Sequence, residues 1–474
     1  MQHSYQTLAQ QLRTAIEAGH YACGERLPSV RSMAQDQGVS VATVVRCYRH
    51  LETQGLVEAR SKSGMYVADW KARRSTRPVA EVAPPVEFDK LASLQHRMTE
   101  LYSLTAQPLQ LGLHLASAAP AWYPCDALAK LGQRVLRTQP ELLGTYPTGT
   151  GLPALKAALL PWLADAGVEL QPADLLITHG STEALSVALR AVARAGDAVI
   201  VESPVYFGLL QMLENLGMKA IEVPCVPGSG LSLEALEYAL EHQTGVRAIV
   251  TMPNFQNPLG SAMDERAKRR LLRLAEQHNL AIIEDDVFGE LSHTQERRPP
   301  IKAWDRQGRV IYCGSCSKSV APGLRLGWVA GGRYHAHLES LKLSSSLVTP
   351  LWEQAVLAAY LQSGALPQHL RKLRERLAAN VPLARQTVAQ YFPAGTELIS
   401  PAGGWWLWMA LPPQVDSLQL LRHAVAQGIA FTPGSMFSNT AKFRHCLRLN
   451  IARPWGREME QGMKKLGALA RALV

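Results

Sequence analysis

Apolar residues at helical spacing mark the first elements of the chain. The first set ends before Gly19, and its members lie three or four residues apart: Tyr5, Leu8, Leu12 and Ile16. A second apolar face ends before Gly38 and consists of Val30, Met33 and Ala34. Because one helix face repeats every 3.6 residues and glycine commonly follows a helix end, the pattern predicts two short helices.

A third helix is predicted after Ser40, whose hydroxyl suits the capping position. The residues expected to face inward are Val41, Val44, Val45, Tyr48 and Leu51, and those nearer the outside are Thr43, Arg46, Arg49 and His50. The run GLVEARSKSGMYVAD places two apolar stretches about a polar turn, which indicates a hairpin. Helix, helix, short turn, helix and hairpin together predict a winged helix-turn-helix domain over residues 1–68.

Residues 69–88 contain several prolines and no periodicity, which is typical of a linker. In residues 89–474, longer helical stretches alternate with the strand-like runs LLITHG, AVIVES, KAIEVP, AIVTMP, AIIEDD, VIYCGS and LGWVAG. The alternation predicts an α/β domain of parallel strands and crossover helices, with its large lobe at about 120–345. From about 365 to 474, a long helix and the strand-like runs GGWWLWMALP and CLRLNIA predict a smaller α+β lobe.

The composition is that of a globular protein. Apolar residues make up 47% and charged residues 19% of the chain, which excludes a disordered polyelectrolyte and a coiled coil of charged heptads. No apolar run reaches the roughly 18 residues of a membrane span, and the first residues are too polar for a secretory signal. With seven scattered cysteines, an odd number, these features predict a cytoplasmic protein with reduced thiols and no membrane partner.

The formal net charge of +10 is concentrated near the N-terminus. The first 78 residues carry eleven Lys and Arg against six Asp and Glu, so half of the excess lies in about a sixth of the length. A basic segment of this kind suits a nucleic-acid partner. A merely solvated basic face is the alternative interpretation of the charge alone.

The N-terminal segment carries the residue types that DNA recognition needs. Ser40, Thr43 and Arg46 lie on the early turns of the third helix, where polar side chains can meet base edges. Arg31, Arg60 and Lys62 suit contacts with phosphates, and Gly64 allows a tight wing turn. Thr43 is equally compatible with an ordinary surface threonine.

The same segment resembles the GntR-type winged-helix domains of bacterial regulators. The resemblance is carried by LPSVR, by VS..TV..Y..L and by GLV..R...G.YV, which together span about sixty residues. It implies that the domain binds double-stranded operator DNA. A winged helix used only for protein contacts is the alternative.

A lysine flanked by hydroxyl residues is the main chemical feature of the C-terminal part. In SCSKSVAPGLR, Lys318 lies near Ser315 and Ser317, and Arg325 follows beyond a Pro-Gly turn. A desolvated lysine near other positive charge becomes nucleophilic, and hydroxyls with a guanidinium suit a phosphate. Alone, this pattern is also compatible with a solvated loop.

Four upstream motifs support the functional interpretation. THGSTEAL places Ser181 and Thr182 where a strand passes into a helix, so backbone N–H groups can cradle a phosphate. Tyr206 follows the strand AVIVES and could stack on a planar ring, and Asn257 precedes a proline and could donate to a phenolate oxygen. Asp285 ends an apolar strand, where a buried carboxylate needs a positive partner.

In this order, the motifs of residues 110–474 resemble the fold type I enzymes that use pyridoxal 5'-phosphate, specifically the class I and II aminotransferases. The resemblance implies Lys318 as the Schiff-base lysine, with the pyridine nitrogen bound by Asp285, the phenolate oxygen by Asn257 and the ring stacked on Tyr206. It further implies phosphate binding by Ser181, Thr182, Ser315, Ser317 and Arg325. Tyr146 is similar to a tyrosine that reaches the phosphate of the neighbouring subunit, which implies a homodimer, and Arg448 to the arginine that binds the substrate carboxylate.

One position departs from this family pattern. A tyrosine commonly stands three residues after the ring-nitrogen aspartate and shares the phenolate oxygen with the asparagine, whereas this chain has Phe288. We hypothesise that loss of the hydroxyl donor leaves the phenolate more basic and reduces catalytic competence. A pH titration of the bound cofactor's absorbance tests this: an apparent pKa unchanged in Phe288→Tyr would contradict the hypothesis.

Two further groups of residues are assigned to structural roles. Cys313 and Cys316 form a CxxC pair without a second ligand pair at zinc-like spacing, so we predict no metal site. Trp405, Trp406 and Trp408 lie on one predicted strand, where core packing is the expected role and lining of a substrate pocket the alternative.

The whole chain resembles the MocR-type subfamily of GntR regulators. The resemblance implies a homodimeric transcriptional regulator that depends on pyridoxal 5'-phosphate and senses an amine, an amino acid or the cofactor. Two alternatives stay open. The first is an active aminotransferase that carries a DNA-binding domain, and the second is a degenerate cofactor fold that only dimerises the DNA-binding domain.

Overall fold

The computed structural model describes residues 5–53, 56–60, 64–68, 94–146, 149–294, 296–440 and 442–474. The chain divides into two compact units, residues 1–80 and 81–474. Lys62 and the predicted linker at 69–88 lie outside the described residues.

The described residues of the first unit form three helices and a hairpin, as the sequence predicts. The helices are Tyr5–Glu17, Val30–Asp36 and Val41–Thr53, and the antiparallel strands are Val57–Arg60 and Gly64–Val67. Leu8, Leu12, Ile16, Val44 and Leu51 are among the residues that form its core.

One assignment within the third helix is wrong. Val41 was expected to face inward, but its side chain is 51% exposed. Cys47, which was not among the residues expected to face inward, is fully buried. Val41 is the first residue of the helix, where the neighbouring elements do not yet cover its face.

The second unit is built around an eight-stranded sheet. In spatial order its strands are Leu175–Thr178, Gly327–Ala330, Val310–Ser315, Ala281–Asp285, Val246–Thr251, Ala198–Ser203, Lys219–Val226 and Gly230–Leu231. The associated helices are Cys125–Thr138, Pro153–Asp165, Gly180–Val192, Phe207–Asn215, Leu233–His242, Glu265–Gln277, His335–Ser346 and Leu351–Gln362. Five central strands are buried almost throughout, as expected when helices cover both faces of a sheet.

One strand does not follow the predicted parallel direction, and a short strand that was not predicted is also antiparallel. Gly327–Ala330 runs antiparallel to both of its neighbours, and Gly230–Leu231 is antiparallel to Lys219–Val226. The connection from Ser315 to Gly327 contains only a short 3-10 turn, Pro322–Leu324. Parallel neighbours need a crossover of about a dozen residues or more, usually a helix, which explains the reversal.

A four-stranded antiparallel sheet forms the centre of the smaller lobe. Its strands, in spatial order, are Glu397–Ile399, Trp406–Ala410, Cys446–Asn450 and Thr432–Pro433, and its helices are Leu366–Tyr391, Ser417–Val425 and Arg457–Arg471. An earlier part of the chain joins this lobe, which the sequence pattern did not indicate. Leu111–Gly112 pairs with Ile429–Ala430, and helix Leu94–Thr105 packs beside Ser417–Val425.

Among the described residues, no helix is both long and apolar enough to cross a membrane.

Candidate functional site

Several of the residues singled out in the second unit meet at one edge of the large sheet. Asp285 ends one parallel strand, and Ser315 ends its neighbour. Tyr206 and Asn257 follow the ends of two further strands of the sheet. Because parallel strands present their carboxyl ends at one edge, separated segments of sequence converge there, and ligands commonly bind at such edges.

Asp285 is a buried carboxylate with an unsatisfied oxygen. Asp285 is only 5% exposed, and its Oδ1 has no hydrogen-bond partner among the described residues. Burial raises the pKa of Asp285 to about 7. A cation or a protonated nitrogen placed against Oδ1 would satisfy this group.

The side-chain amine of Lys318 has a lowered pKa. Burial lowers the pKa of Lys318 to about 8, and the charges of Arg448 and Arg325 act in the same direction. Its Nζ donates to the backbone oxygen of Ala116 at 2.7 Å. A lysine of this kind has a larger neutral, nucleophilic fraction near neutral pH than a solvated lysine.

Arg325 and the first turn of helix Gly180–Val192 together form a positively charged site, which we call the anion cradle. Arg325 points at this helix terminus, so closely that a Cβ at Gly180 would lie 2.8 Å from Nη2. Arg325 adopts the left-handed conformation, with φ +51°, and the described residues offer it no carboxylate. A helix N-terminus and a guanidinium are both positive, so their proximity favours an anion between them.

The four hydroxyl residues predicted to bind the phosphate differ from one another in their hydrogen bonds and exposure. Ser317 Oγ accepts from Arg325 Nη1 at 3.2 Å. Ser315 Oγ already lies 2.8 Å from the backbone oxygen of Leu326 and accepts from the backbone N–H of Ser317. Ser181 is half-buried and Thr182 exposed in the first turn of the helix.

Arg448 is a deeply buried charge of the site. It is 1% exposed, and it stacks over the ring of Trp406 at 3.7 Å. Nη1 donates to Asn257 Oδ1 at 2.9 Å, and Nη2 donates to Thr432 Oγ1 at 3.1 Å. Burial lowers the pKa of Arg448, and no carboxylate of the described residues pairs with it. Such a desolvated guanidinium is suited to bind a carboxylate in bidentate fashion.

Aromatic residues form the wall beside Arg448. Phe288 is 1% exposed and packs edge-on against Trp405 at 5.1 Å and Trp406 at 5.8 Å between ring centroids. Trp408 packs against Phe437. The tryptophans are therefore core residues, and Trp406 in addition supports the Arg448 guanidinium.

Tyr206 and Tyr146 lie in very different surroundings. Tyr206 lines a small cavity together with Asp285 and Glu202, and burial raises the pKa of its hydroxyl. Tyr146 is 84% exposed and lies just before residues 147–148, which are outside the described part of the chain. The structure thus does not bring Tyr146 to the site of its own chain.

Cys313 and Cys316 are fully buried free thiols. Burial raises the pKa of Cys316 to about 12, so its reactive thiolate is suppressed. Within the described residues, no group of three or more His, Cys, Asp or Glu is arranged to hold a metal ion.

Those of the predicted DNA-contacting residues that the structure describes lie on the surface of the first unit. Ser40 Oγ accepts from the backbone N–H of Thr43 at 3.1 Å, so it caps helix Val41–Thr53. Arg31 and Arg46 are exposed, and Arg46 stacks on the Tyr5 ring at 4.8 Å. Arg60 is partly neutralised, because Nε and Nη2 both donate to Glu58 at 3.0 Å.

Sequence reasoning missed several residues of both sites. Arg26 lies against the wing, since a Cβ at Gly64 would be 3.1 Å from its Nε, and Gly64 has φ +117°. Asn450 and the backbone of residues 114–117 border Lys318 and Arg448. Asn450 stands two positions after Arg448 on the same strand, and this period-2 spacing was a usable signal.

Comparisons with known proteins match both units. The model of the bacterial regulatory proteins of the gntR family matches residues 4–67, and that of aminotransferase class I and II matches residues 113–466. The HTH-type transcriptional regulator YjiR of Escherichia coli K12 is 38% identical over 474 residues, which cover 99% of each chain. MocR of Rhizobium meliloti is 32% identical over 442 residues, which cover 90% of this chain and 86% of MocR.

A solved structure agrees with the fold of the second unit. The multiple substrate aminotransferase from Thermococcus profundus is 29% identical, with a TM-score of 0.73, and the match covers 82% of this chain and 99% of the enzyme. The gntR-type match in front of the aminotransferase-type match is the organisation shared with YjiR. The chain therefore belongs to the MocR-type subfamily of GntR transcriptional regulators, in which a helix-turn-helix domain is fused to a class I and II aminotransferase domain.

Proposed function

We propose that this protein is a transcriptional regulator that binds pyridoxal 5'-phosphate at the edge of its large sheet and senses an amine or amino acid there. The carrying observation is that a nucleophilic lysine, an unsatisfied buried carboxylate and an anion cradle meet at one place. Each feature matches a different part of the cofactor, namely the aldehyde, the pyridine nitrogen and the phosphate.

The residues divide the work as follows. Lys318 would attach the cofactor, Asp285 would bind its ring nitrogen, Asn257 would bind its phenolate oxygen and Tyr206 would stack on its ring. The phosphate is held by Ser181, Thr182, Ser315, Ser317 and Arg325. When bound, the cofactor supplies an aldehyde that condenses with amines and a ring that withdraws electrons.

Arg448 selects ligands that carry a carboxylate beside their amine. Its guanidinium is desolvated, and its orientation is fixed by hydrogen bonds to Asn257 and Thr432. The amine of the ligand and Lys318 would compete for the same aldehyde, so Lys318 would be free when the ligand is bound.

The first unit binds operator DNA. Helix Val41–Thr53 enters the major groove with Ser40, Thr43 and Arg46 on its early turns, and Arg31, Arg60 and Lys62 contact phosphates around it. Gly64 turns the wing towards the duplex. Such a protein works in the cytoplasm, where bacterial DNA is found.

A homodimer completes the proposal. Tyr146 and Leu143 are 84% and 71% exposed, and two large apolar side chains this close together favour burial against another surface. We assign Tyr146 to the phosphate of the neighbouring subunit, and two winged helices then address two half-sites of one operator.

One experiment separates a sensor from an enzyme. The purified full-length protein is incubated with a panel of amino acids and amines, while cofactor absorbance, keto acid formation and binding to DNA from upstream of its own gene are measured. A spectral change without keto acid, accompanied by altered DNA affinity, supports the regulator. Conversion to keto acid with unaltered DNA affinity supports an aminotransferase, and absence of any cofactor band supports a degenerate fold.

A further inference from the structure

Four consecutive backbone carbonyls, those of residues 114–117, accept hydrogen bonds from side chains of the proposed ligand site. Arg448 Nη2 donates to His114 O at 3.3 Å, and Lys318 Nζ donates to Ala116 O at 2.7 Å. Asn450 Nδ2 donates to Leu115 O at 2.5 Å and to Ser117 O at 2.7 Å. Asn450 therefore binds the carbonyls of Leu115 and Ser117. Those of His114 and Ala116 are bound by Arg448 and Lys318, the two side chains proposed to bind ligands.

Asn450 is built to hold this segment in one position. It is fully buried, and its Oδ1 accepts from the backbone N–H of Ala452 at 2.7 Å, which fixes the orientation of the amide. Its own backbone N–H donates to Leu113 O at 2.8 Å. Because both Nδ2 and Oδ1 of Asn450 are hydrogen-bonded to backbone groups, a change of rotamer would leave buried polar groups unpaired.

We propose that Asn450 and residues 114–117 form a latch that reports whether Lys318 and Arg448 are occupied. The latch rests on the proposed function, since its ligands are the cofactor and the carboxylate-bearing effector. It makes Asn450 a positioning residue, which acts through the latch and does not itself touch the ligand.

The two kinds of hydrogen bond respond differently to ligands. Once Lys318 Nζ is engaged by the cofactor, it no longer supplies the same hydrogen bond to Ala116 O. A carboxylate that takes the Arg448 guanidinium competes in the same way with His114 O. Ala116 is exposed, so water can replace the lost donor, and residues 114–117 are then held less tightly.

The latch is connected to an element near the first unit in sequence. Residues 111–113 are tied to the smaller lobe, since Leu111 N donates to Gly428 O at 3.0 Å and Leu113 N donates to Ala430 O at 2.7 Å. They lead back to helix Leu94–Thr105, the first described element after residues 69–93. We expect a shift of residues 114–117 to reach this helix through residues 106–113.

The test uses two matched asparagines. Asn450→Asp keeps the acceptor for Ala452 and removes the two donors to the latch. Asn380 is 5% exposed and likewise donates from Nδ2 to two carbonyls, those of Ile451 at 2.6 Å and Arg453 at 2.7 Å, but it does not touch residues 114–117. Asn380→Asp is therefore the control: it also places a carboxyl group at a buried position but leaves the hydrogen bonds of residues 114–117 in place.

Hydrogen exchange of the Leu113 and Ala118 amides is the first measurement, because both are hydrogen-bonded at the ends of the latch. We expect pyridoxal 5'-phosphate to accelerate their exchange in the wild-type protein. Asn450→Asp should exchange roughly tenfold faster than wild type without cofactor, as for the loss of one or two buried hydrogen bonds, and should not respond to cofactor. Asn380→Asp should respond like wild type.

Affinity for DNA from upstream of its own gene is the second measurement. We expect Asn450→Asp to bind cofactor and DNA but to lose the effect of cofactor and amino acids on DNA affinity. Lys318→Ala, which removes only the donor to Ala116, should show without cofactor the exchange that wild type shows with it. Equal responses of Asn450→Asp and Asn380→Asp, or wild-type exchange unaffected by cofactor, would overturn the latch alone. A wild-type protein that binds no cofactor or no DNA would overturn the proposed function as well.

Discussion

At the scale of single residues, the burial of charge is the most informative property of the site. Asp285 and Arg448 are 5% and 1% exposed, yet neither has an ion-pair partner among the described residues. Keeping unpaired charges inside a protein is costly, so they are expected to be compensated by what the site binds.

Arg448→Lys tests the proposed role of the guanidinium. Lysine keeps the charge but loses the planar pair of donors, so binding of a carboxylate should weaken by about 10- to 100-fold, as for loss of charge-assisted hydrogen bonds. The measurement compares cofactor absorbance during titration with L-alanine and with ethylamine, which lacks the carboxyl group. We expect the response to L-alanine to weaken and that to ethylamine to persist. An equal loss for both ligands would argue that Arg448 only supports the fold.

Asp285→Asn should change stability in a pH-dependent way. Burial raises the pKa of Asp285 from 3.8 to about 7, so in this range the folded chain holds a proton that the unfolded chain has released. The free energy of unfolding therefore decreases as the pH rises from about 4 to about 7 because of this group. Without cofactor, Asp285→Asn should melt several degrees above wild type at about pH 8, with no such gain at about pH 4. Equal melting temperatures at the higher pH would contradict the assignment.

At the scale of elements, two helix N-termini carry the proposed binding functions. Helix Gly180–Val192 begins in the anion cradle, and helix Val41–Thr53 begins at Ser40 on the surface of the first unit. The positive end of a helix suits the phosphate groups that we propose bind at both sites, those of a cofactor and of DNA.

Gly180→Ala tests the cradle. Gly180 has φ +74°, and a Cβ there would lie 2.8 Å from Arg325 Nη2, so alanine should displace the guanidinium. Gly196→Ala is the matched control, because Gly196 has φ +89° and open space around the Cβ position. Both variants carry a backbone cost of about 1–2 kcal/mol. Only Gly180→Ala should lose cofactor affinity, by at least roughly tenfold in an absorbance titration. Equal affinities of the two variants would place the phosphate elsewhere.

Arg46→Ala tests the DNA-facing helix. Loss of one phosphate or base contact should weaken DNA binding and lower the slope of log affinity against log salt by about one if the contact is to phosphate. Arg269→Ala is the control, since Arg269 is also exposed and stacked on an aromatic ring, that of Trp304 at 4.5 Å, but lies in the second unit. Indistinguishable DNA affinities of the two variants would remove Arg46 from the interface.

At the scale of the whole molecule, local sequence patterns predicted the elements well and their distant contacts poorly. The strand of Asp285 and the capped helix after Ser40 are local features, encoded by apolar runs and by a capping hydroxyl. The reversed direction of Gly327–Ala330 and the pairing of Leu111–Gly112 with the smaller lobe depend on residues far apart in sequence. No local pattern encodes such pairings, and the latch at residues 114–117 was missed for the same reason.

In a regulator, ligand binding in the second unit must be coupled to DNA binding by the first unit. A regulator requires that the ligand bound at Lys318 have different affinities for two states of the protein, because only a difference in affinity shifts an equilibrium. The same difference must then appear in the affinity for DNA, since coupling between two binding sites is reciprocal.

The affinity of the full-length protein for DNA from upstream of its own gene, measured with and without pyridoxal 5'-phosphate, tests this claim most directly. Lys318→Ala provides the comparison, because it removes the attachment point and leaves the first unit unchanged. We predict that the cofactor changes the DNA affinity of wild type by about 5- to 150-fold and leaves that of Lys318→Ala unchanged. The same DNA affinity for wild type in both conditions would contradict the account.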